Sequence, residues 1–344
     1  MKKLTVAFFL IFLISGHMHV FSQVPFFVNG IKYDFCNDIS TGERGLVVLP
    51  GDIKYSGDVV IPADITLADK TYPVIKIGAK AFAYCDELKS VSLPQTLTQM
   101  DEYAFTNCLS LTNIKIPDSV KRMSYGDFGY CNNLKTVTLP TGCTIIPGCF
   151  FSHSESLNDI HIPWGYEELL LSVFSNCYSL KHIEIPSSVK SIGPECFNNC
   201  KSLKRVVLGI NKAGKMEETT GSLLFNGMSR IFQNCDNLTE IYSLYLNPPY
   251  QKESADYPFS DYVYEHAVLY VPESAIEDYK NSSIWSKFIN IRKIEYNDAV
   301  GNLFIDPNEG TPVYIDTKGT INSRPVPGIN IMVSPDGSTK KIIN

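Results

Sequence analysis

Residues 131–140 read CNNLKTVTLP, and variants of the same ten-residue phrase return as CDELKSVSLP from residue 85, CLSLTNIKIP from 108 and CYSLKHIEIP from 177. Within it, LKTVTLP alternates apolar and polar with period two. That predicts a short strand with Val137 and Leu139 turned inward and Thr136 and Thr138 toward solvent. Pro140 ends the strand because proline has no N–H to give a neighbouring strand. Working outward, Phe82, Phe105, Phe128, Phe151, Phe174 and Phe197 are separated by steps of 23 residues. The column Leu88, Leu111, Leu134, Leu157, Leu180 and Leu203 keeps that step, as does Ile77, Met100, Met123, Ile146, Leu169 and Ile192. A fixed period of roughly 20–50 residues predicts a solenoid, whose units bury a core only when several are stacked.

After each proline the chain turns back past an inward position such as Val120 or Val189. In SIGPECFNNC, residues 191–200, Pro194 followed by Glu195 reads as the start of a short helical turn, with Cys196, Phe197 and Cys200 facing the core. The ends of the array depart from the period. FFVNGIKYDF and RGLVVLPG read as hairpin strands over the open top. SGDVVIP is a strand plus proline, followed by a polar spacer, ADITLADKTYP. Beyond Gly209 an insertion delays the next phenylalanine by 12 residues, to Phe232. NPPYQKESADYPFSDYVYEH then reads as a loop, AVLYVP as a final strand, and ESAIEDYKNSSIWSKF as a capping helix with Ile276, Tyr279 and Trp285 on its apolar side. The expected organisation is a signal peptide over 1–22, an N-terminal β cap over 23–74, the solenoid with its C-terminal cap over 75–296, and a small β tail over 297–344.

Lys2 and Lys3 precede the apolar run LTVAFFLIFLISG, and Val20 and Ser22 suit cleavage after Ser22, the pattern of a secretory signal peptide. A membrane anchor is the competing reading, but it needs nearly 20 continuous apolar residues, and His17 and His19 interrupt this run. Removing residues 1–22 takes away two lysines and no acid, so the net charge moves from −6 to −8. An acidic exported chain is a poor match for nucleic acid or anionic lipid. Ten cysteines in such a chain would normally imply disulfides. However, Cys85, Cys108, Cys131, Cys177, Cys200 and Cys235 share one place in the unit, which points to buried packing thiols, with oxidation of neighbouring pairs as the rival.

The unit running Ile77, Ala81, Phe82, Cys85, Leu88, Val91, Leu93, Pro94 resembles the BspA-like leucine-rich repeats of Bacteroides-type bacteria, strongly over residues 75–209. The resemblance extends more loosely upstream to Val28 and downstream through LYVP. It implies an α/β repeat fold: a right-handed leucine-rich-repeat solenoid of 23-residue rungs, each a short parallel strand plus a short helical turn. It also implies a secreted or surface-displayed protein with a role in adhesion or host-matrix binding. GINIMVSPDGSTKKII resembles the tails of exported proteins of that group, which makes residues 297–344 a candidate sorting or attachment element. Two units depart from the pattern. The fourth carries Ser154 for the cysteine and Phe150 for alanine; the fifth carries Val173 and is preceded by WGYEE. Both rungs are expected to bulge.

Catalysis requires a nucleophile, base or metal held in a pocket. The sequence has no Gly-x-Ser-x-Gly, His-Glu-x-x-His, phosphate-cradling glycine loop or Cys-x-x-Cys pair. His161 and His182 fall on adjoining strands in columns two residues apart, roughly 7–9 Å from each other, too far to share an unassisted metal. No catalytic residue, metal or cofactor is expected. The candidate ligand-binding residues lie on the outward faces: Lys89, Lys135, Lys181 and Lys204 in one column, His161 and His182 in the next two, and Trp164 and Tyr166 in the irregular turn. For each there is a plain alternative. The lysines can be a solubilising stripe, and Trp164 and Tyr166 can be packing residues, the latter in the inward valine column. The tyrosines Tyr250, Tyr257, Tyr262 and Tyr264 are read with the same two alternatives. The chain is therefore read as an exported, monomeric interaction protein whose partner is a host extracellular-matrix protein, another surface protein or a glycan. A structural envelope spacer and a glycan-binding accessory protein are the alternatives.

Overall fold

The computed structural model describes residues 25–38, 40–227, 230–251 and 256–296, and four tail strands, Val313–Asp316, Ile321–Asn322, Ile329–Val333 and Thr339–Ile343. The leader lies outside the described residues, as does most of the tail. The four tail strands form one antiparallel sheet.

Two parallel ladders carry the array. The first is built from the predicted strands. In it Val137 stands opposite Ile114 on one side and Ile160 on the other, while the flanking threonines pair with Asn113, Lys115, Asp159 and His161. Further along, Val206 lies between Ile183 and Ile241, and the ladder continues through Val268–Val271 to Asn290–Lys293. The inward residues are buried and the outward ones exposed, as period two requires. The second ladder lies on the returning limb, where two-residue strands at Ile145–Ile146, Glu168–Leu169, Ser191–Ile192, Leu224–Phe225 and Tyr250–Gln251 pair in parallel.

The phenylalanine column forms a continuous stack between the ladders. Ring centroids are 4.8 Å apart for Phe82 and Phe105, 5.2 Å for Phe105 and Phe128, and 5.1 Å for Phe174 and Phe197, with interplanar angles of 2°, 4° and 9°. The stack passes the insertion without a break, through Phe232 to Phe259 at 5.1 and 5.0 Å. Phe259 lies in the segment read as a loop, which also contains a short helix, Asp261–His266, capped by Ser260. The loop is thus one more rung. At the fourth unit the spacing widens to 6.0 Å between Phe128 and Phe151, because the extra ring of Phe150 wedges edge-on between them. Each buried phenylalanine contributes about 1.5–3 kcal/mol from burial, and each ring pair adds about 0.5–1.5 kcal/mol.

The turn between the second ladder and the first departs from the helical expectation. Among the described residues no helix forms across residues 78–87 or their repeats. Instead the backbone enters the left-handed region twice per rung, at Lys80 and Tyr84, Tyr103 and Asn107, Gly126 and Tyr130, and onward to Glu195 and Asn199. Alternate N–H groups close i→i−3 turns, as in Ala81 to Gly78, Ala83 to Lys80 and Cys85 to Phe82. The intervening ones, Lys80, Phe82 and Tyr84, donate to the carbonyls of Glu102, Ala104 and Thr106 in the next rung. A helix would use every N–H within its own rung; this arrangement commits half of them to stacking, which satisfies buried backbone groups between rungs.

Both ends extend the ladders rather than only covering them. Phe26–Val28 and Ile31–Asn37 form the expected hairpin, but Arg44–Val48 then pairs in parallel with Lys70–Ile77, which pairs in turn with Gln99–Met100. The segment that reads as a polar spacer is itself a hairpin, Asp64–Leu67 against Lys70–Ile77, turning at Ala68 with φ of 53°. At the other end the capping helix is broken into Glu273–Ala275, Ile276–Lys280 and Trp285–Lys287, and only the middle piece is α-helical. Tyr279 and Trp285 are fully buried beneath the last rung, and the indole N–H donates to the Pro249 carbonyl at 2.7 Å.

Candidate functional site

The cysteine column shows what the core asks of its residues. Cys108, Cys131, Cys177, Cys200 and Cys235 each donate a thiol hydrogen to a phenylalanine carbonyl one rung back, at 3.1–3.3 Å. Ser154 occupies the same place and makes the same bond to Phe128 at 2.8 Å. The serine is therefore a substitution within one role, and the widening of that rung comes from Phe150. All ten cysteines are free thiols, and burial pushes the Cys177 and Cys196 thiols well above the ordinary range. A disulfide would remove the hydrogen on which these bonds depend.

With the cysteines and phenylalanines committed to the interior, most of the residues singled out from the sequence lie on the outward columns of the first ladder. Lys89, Lys135, Lys181 and Lys204 are exposed in one column, with Thr112 and Asn158 between them. The first three sit two rungs apart, roughly 10 Å, and the fourth follows one rung on. Lys89, Lys135 and Lys204 have no ion pair among the described residues. In the adjacent columns His161 is exposed opposite Thr138, and His182 is exposed opposite Arg205. The structure brings both histidines to Glu184, one rung below His161 and two residues beyond His182. Burial raises the Glu184 carboxyl, and the charges of His182, His161 and Arg205 oppose that shift. Arg205 is also held by Glu240, Nε to Oε2 at 2.7 Å. Among the described residues no three histidines, cysteines or carboxylates are placed to hold a metal ion.

Downstream the outward face is no longer open. Val207, which continues the His161 and Glu184 column, is 1% exposed. Tyr242 and Tyr270, next along, stack at 4.5 Å. Met216 from the insertion, together with Ile210, Leu244 and Ile294, covers them in a second small core. The insertion is thus a lid over the lower part of the strand face, and the exposed part runs from the lysine at 89 to the one at 204. The sequence carried a faint signal of this in the change from His161 and Glu184 to Val207.

The irregular turn separates its two aromatics. Trp164 is 46% exposed, with the Lys212 ammonium from the insertion 5.0 Å from its ring. Tyr166 is fully buried and donates its hydroxyl hydrogen to the Pro140 carbonyl at 2.9 Å. It fills the inward valine column and reaches a carbonyl one rung back, so it is a packing residue and leaves the set of candidate binders. In the last loop Tyr250, Tyr257 and Tyr262 are exposed, while Tyr264 is buried against Phe288 and Phe259. One feature had no sequence signal: on the turn side the left-handed column carries Tyr130 stacked on His153 at 4.4 Å, followed by Asn176 bonded to His153 and Asn199 bonded to Asn176.

A family model for the BspA type leucine rich repeat region matches in six copies, over residues 64–178 and 123–243, which together span more than half of the chain. Three solved structures illustrate what the chain is similar to. A leucine-rich repeat protein of T. pallidum is 20% identical, with 72% of this chain and 92% of that one covered and a TM-score of 0.41. One from Bacteroides ovatus is 18% identical, with 74% and 80% covered and a TM-score of 0.31. The pneumococcal vaccine antigen PcpA is 14% identical, with 79% and 98% covered and a TM-score of 0.28. No curated protein sequence matches.

Proposed function

We propose that this chain, which belongs to the BspA type leucine-rich repeat family, is an exported, non-enzymatic interaction protein that uses its open strand face to bind an extended acidic segment of a host-matrix or neighbouring-cell surface protein. The observation that carries this reading is the exposed column Lys89, Lys135, Lys181 and Lys204, a line of positive charge on a chain of net charge −6. A rigid ladder fixes the backbone positions from which these lysines project, so binding a partner with matching negative charge orders only their side chains, and the charge match favours that partner over others. Display at the cell surface, with the tail as the attachment element, is part of the same proposal.

The test is retention of the purified full-length chain on an array of matrix proteins and glycans. Replacing all four lysines by glutamate is expected to weaken retention roughly tenfold or more, and added salt to weaken the parent's binding, as long-range attraction is screened. Undiminished binding by the quadruple variant overturns the assignment to this face. Retention by neutral glycans that Trp164→Ala abolishes moves the site to Trp164 and favours the glycan-binding alternative.

A further inference from the structure

The second ladder presents another outward face, and its charges follow an order that the lysine column does not. One column runs Arg122, Ile145, Glu168 at successive 23-residue steps; the column beside it runs Lys121, Thr144, Glu167. Ile145 pairs with Glu168 across the ladder. Arg122, Ile145 and Glu168 are all exposed, Ile145 at 40%. Positive charge thus lies one rung above the Thr144–Ile145 level and negative charge one rung below it, in two adjoining columns. Glu167 is already paired with Lys190 at 2.8 Å, and the Lys121 ammonium donates to the Asp118 carbonyl at 3.1 Å. Arg122 and Glu168 have no ion pair among the described residues. Exposed apolar groups lie alongside: Leu170 and Leu171 beyond Glu168, and Tyr125, whose ring lies beside Gly148 as the Leu171 side chain does.

We propose that this face binds a second copy of the chain in an antiparallel, two-fold pair centred on Ile145. A two-fold axis lying in the interface, parallel to the strands at the level of Ile145, turns the second copy face to face with the first and exchanges the rung above with the rung below. It therefore sets Arg122 opposite Glu168 of the second copy twice over and places Ile145 against its own counterpart. An unrelated partner would need only a complementary surface. A column that reads positive, apolar, negative about one level is complementary to itself, which is what an isologous interface requires. Exposed ion pairs contribute little individually. The apolar groups supply most of the attraction, and the charges fix the antiparallel orientation by penalising the parallel one. The monomer expected from the sequence gives way to a reversible dimer that leaves the strand face of each copy open.

Sedimentation equilibrium of the purified full-length chain over about 1–200 µM, bracketing dissociation constants of that order, tests this directly. The parent is expected to associate to a dimer. Arg122→Glu and Glu168→Arg, both at exposed positions that leave the core intact, are each expected to weaken association about tenfold or more. An equimolar mixture of these two variants is expected to dimerise again, because every cross-interface contact in the mixed pair joins opposite charges. The double variant Arg122→Glu/Glu168→Arg is expected to self-associate like the parent. A parent that stays monomeric throughout overturns the proposal. So does a dimer indifferent to the single reversals, or a mixture that stays monomeric while both chains give the parent's circular dichroism spectrum.

Discussion

Removing the thiol of Cys131 separates two accounts of the cysteine column: cysteine as a small apolar filler, and cysteine as a donor. Cys131 and Phe105 are both fully buried, and the Phe105 carbonyl accepts the Cys131 thiol at 3.1 Å. At Phe82, Phe151, Phe174 and Phe197 the carbonyl also receives a backbone N–H, but among the described residues none reaches the carbonyl of Phe105 or Phe128. Cys131 and Ser154 are therefore the positions where the side chain alone satisfies a buried acceptor. An unsatisfied buried carbonyl costs about 1–3 kcal/mol. The weak S–H donor places Cys131→Ala in the lower half of that range, about 1–2 kcal/mol, and the hydroxyl places Ser154→Ala near 2 kcal/mol. Cys131→Ala and Cys131→Ser both lose the sulfur's volume, so the difference between them isolates the donor. Serine is expected to be the more stable by about 1 kcal/mol. Urea unfolding followed by far-ultraviolet circular dichroism reads this as a shift in midpoint at constant slope. Equal midpoints for the two variants, or a higher one for alanine, refute the donor role and leave packing alone.

Phe128 lies 5.2 Å from Phe105, 5.4 Å from Phe150 and 6.0 Å from Phe151, so Phe128→Ala is expected to cost about 3–5 kcal/mol in the same assay; a loss below about 1 kcal/mol contradicts a continuous stack. Asp127 is fully buried, its carboxylate accepting from the Ala104 and Ser124 N–H groups at 3.1 Å each, and desolvation raises it well above the ordinary carboxylate range. A carboxyl raised on folding holds its proton more tightly in the folded state. Its contribution to stability is therefore greatest below the unfolded value of about 3.9 and declines as pH rises from there toward the raised folded value. The stability of Asp127→Asn relative to the parent is expected to rise with pH across that window. A difference that stays constant with pH contradicts the assignment.

Much of the fold was legible because the relevant signals are local and repeated. The alternation around Val137 and Leu139 needs only one strand, and the 23-residue recurrence of Phe82, Phe105 and Phe128 needs only counting. Each is found again as a buried column. The conformation of the turn is not legible from one unit because Pro194 followed by Glu195 opens helices and tight turns alike. The left-handed backbone at Glu195 and Asn199 is stabilised by hydrogen bonds to the next rung, which a single unit cannot reveal. At the candidate site the lysine column lay on the exposed face that its spacing predicted, whereas Tyr166 proved internal and Val207 covered. A tyrosine in an inward column can either expand outward or reach a distant carbonyl, and only the position of the Pro140 oxygen decides between them.

The sequence by itself determined the rung length, the inward columns and the outward charges, since those follow from chain geometry that is the same in every copy. Tertiary structure alone decided which carbonyl each thiol serves, how the insertion folds back to bury Val207 under Met216, and where the open face ends. Those outcomes depend on contacts between rungs and across the insertion, between residues that neither the period nor the local pattern relates to one another.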